Sequence, residues 1–138
     1  VDAVHPVRFG IMTCSGCHSP HGSNSTAMLV KPTVNQTCYT CHADKRGPFL
    51  WEHAPAAEDC TLCHFAHGSS RAVLLSKTPP LLCQQCHAVA GHPSVAYTSS
   101  GLPGRGGGGA AFLLAGGCVN CHSQVHGSNH PSGVKLMR

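Results

Sequence analysis

Apolar positions are scattered along this chain, and no stretch sustains the 3.6-residue recurrence of a long amphipathic helix. Gly and Pro, 16 and 10 of 138 residues, punctuate almost everything. The pattern predicts short helical turns around five Cys-rich strings and one longer helix over Ala54–Cys63 that takes in Glu58 and Asp59. Few or no strands are expected. The stretch 101–117, GLPGRGGGGAAFLLAGG, holds eight Gly in 17 residues and reads as a long loop with an apolar end. A mobile surface insertion is favoured there over a contact surface for a partner or another copy. Its apolar end, Ala110–Ala115, is the longest apolar run and is far too short to cross a bilayer. The expected fold class is therefore mostly irregular coil with short helices, in a single domain over 1–138.

Composition sharpens the problem. Four Phe, two Tyr and one Trp leave little material for a core, and charged residues at 10% are too few for a disordered polyelectrolyte. Such a chain needs staples, and 10 Cys with 12 His supply candidates. Val1 opens directly on VDAVHPV, with no charged-then-apolar leader, which reads as a mature, processed, soluble chain.

Every cysteine lies in a C-x-x-C pair followed at once by histidine. The five strings are Cys14-Ser-Gly-Cys17-His18, Cys38-Tyr-Thr-Cys41-His42, Cys60-Thr-Leu-Cys63-His64, Cys83-Gln-Gln-Cys86-His87 and Cys118-Val-Asn-Cys121-His122. C-x-x-C-H is the attachment signature of c-type haem. Two intervening residues set the thiols about one vinyl-to-vinyl distance apart, and the adjoining His lies under the iron as proximal ligand. Zinc ribbons have similar Cys spacing and small secreted chains have disulfide frameworks, yet neither explains five histidines at one fixed offset. That coincidence has a chance of about 5 in a million at this His content. The reading is five covalently attached haem c groups, with proximal ligands His18, His42, His64, His87 and His122.

Seven histidines remain: His5, His21, His53, His67, His92, His126 and His130. Three precede Gly just beyond an attachment string, in His18-Ser-Pro-His21-Gly22, His64-Phe-Ala-His67-Gly68 and His122-Ser-Gln-Val-His126-Gly127. Only about 10–14 Å of chain separates such a His from its own proximal ligand, too little to round the macrocycle and return. It is expected to ligate a neighbouring haem instead. The strings form an internal repeat over about 14–53, 60–92 and 118–138, the last copy incomplete. Assigned by that repeat, the distal ligands are His21, His53, His67, His92 and His126. His5 and His130 are then the surplus, each an ordinary surface imidazole or a ligand offered to a neighbouring molecule, with His5 kept as a candidate metal ligand. Met12, Met28 and Met137 are read as packing residues.

The formal charge of +4 describes polypeptide alone. Counting propionates and porphyrin, the loaded protein is about −1 oxidised and about −6 reduced, which argues against nucleic acid as a partner. With a haem stack in place of a hydrophobic core, the haem-free chain is expected to be unfolded. Attachment of haem c takes place outside the cytoplasm, so the expected location is periplasmic or extracellular.

Strings longer than the haem motif carry a resemblance across essentially all 138 residues. They are Cys14-Ser-Gly-Cys17-His18-Ser-Pro-His21-Gly22, Thr37-Cys38-Tyr39-Thr40-Cys41-His42 leading into Arg46-Gly47-Pro48-Phe49-Leu50-Trp51-Glu52-His53-Ala54-Pro55, and Cys121-His122-Ser123-Gln124-Val125-His126-Gly127-Ser128. In these the chain resembles the carboxy-terminal half of the MtrA/DmsE-type decahaem cytochromes. The resemblance implies low-potential bis-histidine haems in a closely spaced chain and little regular secondary structure. It also implies redox protein donors and acceptors, and passage of electrons through a porin-like β-barrel.

Five motifs stand here against ten in that family. The shorter length opens two further readings, a small soluble shuttle and a subunit that polymerises end to end into an extracellular filament. A multihaem reductase is the competitor from another class. It needs an open iron site, and five regular motifs with abundant ligands weigh against it, so no catalytic residues are assigned.

Overall fold

The computed structural model describes residues 3–88, 92 and 117–138. The Gly-rich stretch therefore lies outside the described residues but for Gly117. Regular structure is sparse, in line with the expected coil-rich class. Two five-residue helices, α1 (Val34–Cys38) and α2 (Ala54–Glu58), and two two-residue strands, β1 (Trp51–Glu52) and β2 (Gly127–Ser128), are joined by single 3-10 turns. The strands pair antiparallel, Trp51 opposite Ser128 and Glu52 opposite Gly127. No helix among the described residues is long and apolar enough to cross a membrane.

Local chemistry explains where the elements stop. Thr33 caps α1 by accepting a 3.1 Å hydrogen bond from the Gln36 amide. Pro55 sits in the first turn of α2, where its missing N–H costs nothing. The single helix expected over Ala54–Cys63 is interrupted. Asp59 adopts extended φ/ψ of −155° and 120°, and its carboxylate accepts the Thr61 amide at 2.8 Å. That carboxylate caps a new turn, Cys60–Leu62, in competition with the backbone bond that would have continued the helix.

Among the described residues there is no apolar core. Among the described residues no hydrophobic side chain is buried, and Phe9 and Ile11 are 75% and 77% exposed. The buried side chains are polar ones: Asn35, Thr37, Ser69 and Ser128. Each acts as a hydrogen-bonded stitch. Asn35 donates to the Ala56 and Ala57 carbonyls at 3.2 and 3.0 Å and accepts the Cys60 amide at 2.7 Å, locking α1 to α2 and to the third motif. Ser69 bridges Leu75, Arg71 and, through its backbone, Ala3. At the far end the Trp51 indole donates to the His130 carbonyl at 3.0 Å, and the Leu50 amide to Asn129 at 2.9 Å.

One set of backbone hydrogen bonds recurs along the described residues. In the first copy Ser19 N–H bonds Met28, Val30 N–H bonds Cys17 and Gly22 N–H bonds Ser19. In the second, Phe65 bonds Leu74, Ser76 bonds Cys63 and Gly68 bonds Phe65. The third keeps two of the three, Gln124 to Leu136 and Gly127 to Gln124.

Candidate haem-binding site

Each C-x-x-C-H string closes one helical turn, in which the histidine amide donates to the carbonyl of the first cysteine. The five bonds run from His18, His42, His64, His87 and His122 to Cys14, Cys38, Cys60, Cys83 and Cys118, all at 2.9–3.0 Å. The turn gathers two thiols and one imidazole at a fixed mutual geometry with no help from the rest of the fold. All ten cysteines carry free thiols, so none is tied up in a disulfide.

Burial, with Cys38 and Asp59 close by, pushes the Cys60 thiol up to about 11. Burial beside Cys118 does the same for Cys83, also to about 11. Cys38 and Cys63 are raised as well, chiefly by burial.

Tertiary structure then sets the histidines in pairs. His18 faces His67 with ring centroids 5.9 Å apart, His42 faces His5 at 6.3 Å, His64 faces His126 at 6.2 Å, His87 faces His53 at 6.1 Å and His122 faces His92 at 6.0 Å. Every pair joins one motif histidine to one histidine from outside the motifs. Rings in van der Waals contact would lie about 3.5–4 Å apart. A metal–imidazole nitrogen bond of about 2.0–2.1 Å, added to the nitrogen-to-centroid distance on both sides, gives a span of about 6.2 Å. The gaps lie within the range of about 4.5–7 Å that aromatic pairs adopt, and they would also admit an iron held between the two imidazoles.

The tautomers agree. His5 Nδ1–H donates to the Ala66 carbonyl at 2.5 Å, His18 to Ala27 at 2.8 Å, His53 to Val125 at 2.8 Å, His64 to Val73 at 2.8 Å and His122 to Lys135 at 2.7 Å. Each pair contains one ring held this way, with Nε2 left as the lone-pair nitrogen. Two of these acceptors, Ala27 and Val73, lie at left-handed backbone with φ of 55° and 48°, and beside a third, Lys135, Leu136 has φ of 55°. Such φ values are costly for residues with a Cβ, most of all for β-branched Val73. The same local distortion thus accompanies the proximal ring in all three copies. Across the gap from His64, burial and the neighbouring Lys45 hold His126 below the usual imidazole range, in the neutral form that a metal ligand needs.

The arrangement suits a haem group. Among the described residues no group of three or more His, Cys, Asp or Glu could hold a bare metal ion, so a four-ligand zinc centre has no place there. A pair of axial imidazoles with two adjacent thiols is what a covalently attached porphyrin asks of a protein.

Two histidines fall outside the pairs. His21, assigned a distal role by the repeat, enters none of them, and His5 stands opposite His42. His130 turns its Nδ1 to its own loop, accepting from Ser132. The carbonyls that orient the rings, and the Asn35 stitch, were not foreseen from sequence. A backbone acceptor carries no side-chain signature.

Comparison with known proteins supports covalently attached haem. The doubled CXXCH motif family matches residues 5–47 and 53–92. A multihaem cytochrome, MtrA of Shewanella baltica strain OS185, is 55% identical over 134 residues, which is 97% of this chain and 40% of that protein. The chain thus spans well under half the length of that relative. With both halves of the paired motif matched, and each motif built as the same thiol–thiol–imidazole turn, the chain belongs to the doubled CXXCH family.

Proposed function

We propose that the chain holds five haem c groups in a row and serves electron transfer. The five imidazole pairs at 5.9–6.3 Å carry this reading, one pair for each attachment string. When bound, each haem supplies a one-electron Fe(III)/Fe(II) couple, and five in series supply a path. The polypeptide's part is to hold and order them. The thiols of Cys38 and Cys60, from the second and third strings, lie close enough to act on each other, as do those of Cys83 and Cys118 from the fourth and fifth. Cys17 lies within electrostatic reach of Cys38, and Cys63 of Cys86. Successive strings therefore adjoin in sequence order, which supports a linear arrangement from the first motif to the fifth.

Two imidazoles at every site leave no axial position for a substrate, which supports a carrier over a reductase. No motif histidine is left single for another copy to complete, which weighs against a polymerising subunit. Likeness to MtrA supports a periplasmic place between redox protein donors and acceptors, with a porin-like barrel as the further partner the resemblance implies.

The purified native protein tests the reading. Its mass should exceed that of the polypeptide by at least five haems. Every ferric haem should be low-spin, and carbon monoxide should leave the reduced spectrum unchanged. A high-spin ferric signal or a carbonyl adduct would sink the bis-histidine assignment and return the reductase to consideration.

A further inference from the structure

We propose that the peptides Ala66–His67 and Val125–His126 each serve two haems at once, linking the haems of the first and second strings, and those of the third and fourth, into pairs. The inference rests on the bis-histidine reading and adds to it a positioning role for backbone groups.

One module is built twice. Ala3 pairs antiparallel with Ser69, and Trp51 with Ser128. In each case one histidine stands two residues after the first partner, His5 or His53, and another two residues before the second, His67 or His126. The two serines are 5% and 4% exposed. Both hydroxyls accept the amide two residues on, from Arg71 at 3.0 Å and from His130 at 3.1 Å. Each also donates to a more distant carbonyl, Leu75 or Arg138. The register is therefore held by a buried and fully bonded side chain as well as by strand pairing.

That register brings the ligands of different haems together. The loop histidines lie in tight turns, in which Gly68 N–H donates to Phe65 at 3.2 Å and Gly127 N–H to Gln124 at 3.0 Å. Such a turn uses the carbonyl of its first residue and leaves that of its second available. The second residues are Ala66 and Val125. Ala66 accepts His5 Nδ1–H at 2.5 Å, and Val125 accepts His53 Nδ1–H at 2.8 Å. Both carbonyls belong to the peptide unit that leads into His67 or His126, and a peptide unit is planar and stiff. His67 faces His18 while His5 faces His42; His126 faces His64 while His53 faces His87. One peptide plane thus carries the ligand of one haem and orients the ligand of another. Donation from Nδ1 also raises the basicity of Nε2, which favours ferric iron. Displacing either plane should move two haems and spare the rest.

The test is His67→Gly in the haem-loaded protein, followed haem by haem through ferric paramagnetic resonance and potentiometric titration. The haem on Cys14 and Cys17 should become high-spin and bind carbon monoxide. The haem on Cys38 and Cys41 should stay low-spin, with altered g values and a raised potential. Added imidazole should return the first haem to low-spin, cancelling any influence of its changed state, and leave the second haem shifted. Ser69→Ala, which keeps every histidine, should shift the same two haems and leave the other three in place. Ser128→Ala should do so for the haems on Cys60–Cys63 and Cys83–Cys86. A second haem that reverts with imidazole overturns the proposal, as do equal shifts at all five haems or native signals in both serine variants. High-spin haem in the unsubstituted protein overturns the underlying bis-histidine reading, and the proposal with it.

Discussion

His67 faces His18 across 5.9 Å with the ring planes inclined by 22°, although the two belong to different copies of the same loop. The histidine nearest in sequence to His67, His64, faces His126 instead. Each copy thus lends a ring to the one before it, so a distal substitution should report at a haem attached elsewhere. His67→Met should raise the potential of the haem on Cys14 and Cys17, on the order of 0.1 V within the roughly 0.8 V that axial ligands span. Potentiometric titration with assignment of the shifted haem checks this. A shift at the Cys60–Cys63 haem would contradict the pairing.

Asn35 is 6% exposed and makes three hydrogen bonds that join α1, α2 and the third motif. Asn35→Ala leaves the Cys60 amide and two carbonyls without that partner. At about 1 kcal/mol per bond, a loss of about 2–3 kcal/mol is expected. Denaturant unfolding of the haem-loaded variant measures it, and an unchanged midpoint would mean the stitch is redundant.

Gly127 holds φ at 138°, and a Cβ there would lie 2.3 Å from the Phe49 ring. Gly127→Ala combines a left-handed penalty of about 1–2 kcal/mol with a steric overlap. It should pull His126 from His64 and render one haem able to bind carbon monoxide. The counterpart Gly22→Ala has nothing within 4 Å of its new Cβ, so it meets the backbone penalty alone. Comparing carbonyl yields of the two variants separates strain from clash.

The ring planes divide the sites into two classes. Those of His18–His67, His53–His87 and His64–His126 are inclined by 22°, 25° and 11°, whereas His5–His42 and His92–His122 stand at 56° and 51°. The mutual angle of axial imidazoles sets how the iron d orbitals split. Ferric paramagnetic resonance should therefore show two families of low-spin signal in a ratio of about three to two. A uniform spectrum would argue against these orientations.

The attachment turns were legible because everything they require lies within five residues: two thiols, one imidazole and a bond from His to Cys that closes locally. Partner choice was less legible. The repeat ranks His21 above His5 by position within a copy, while the fold brings His5 to His42 by anchoring Ala3 onto Ser69, a contact between residues far apart in sequence. The break at Asp59 had a visible cause, an acidic cap residue directly before a motif, but helix and cap compete within about 1 kcal/mol and sequence does not rank them. The left-handed residues Ala27, Val73 and Leu136 follow no propensity. They stand beside, or supply, the carbonyls that orient proximal rings, and that demand outweighs local preference.

The absence of an apolar core among the described residues bears on the life of the protein in the cell. Where the described residues are held by a few polar stitches, little stability is in reserve before cofactors are attached, so unloaded copies are open to proteolysis. Haem delivery then acts as a gate on abundance.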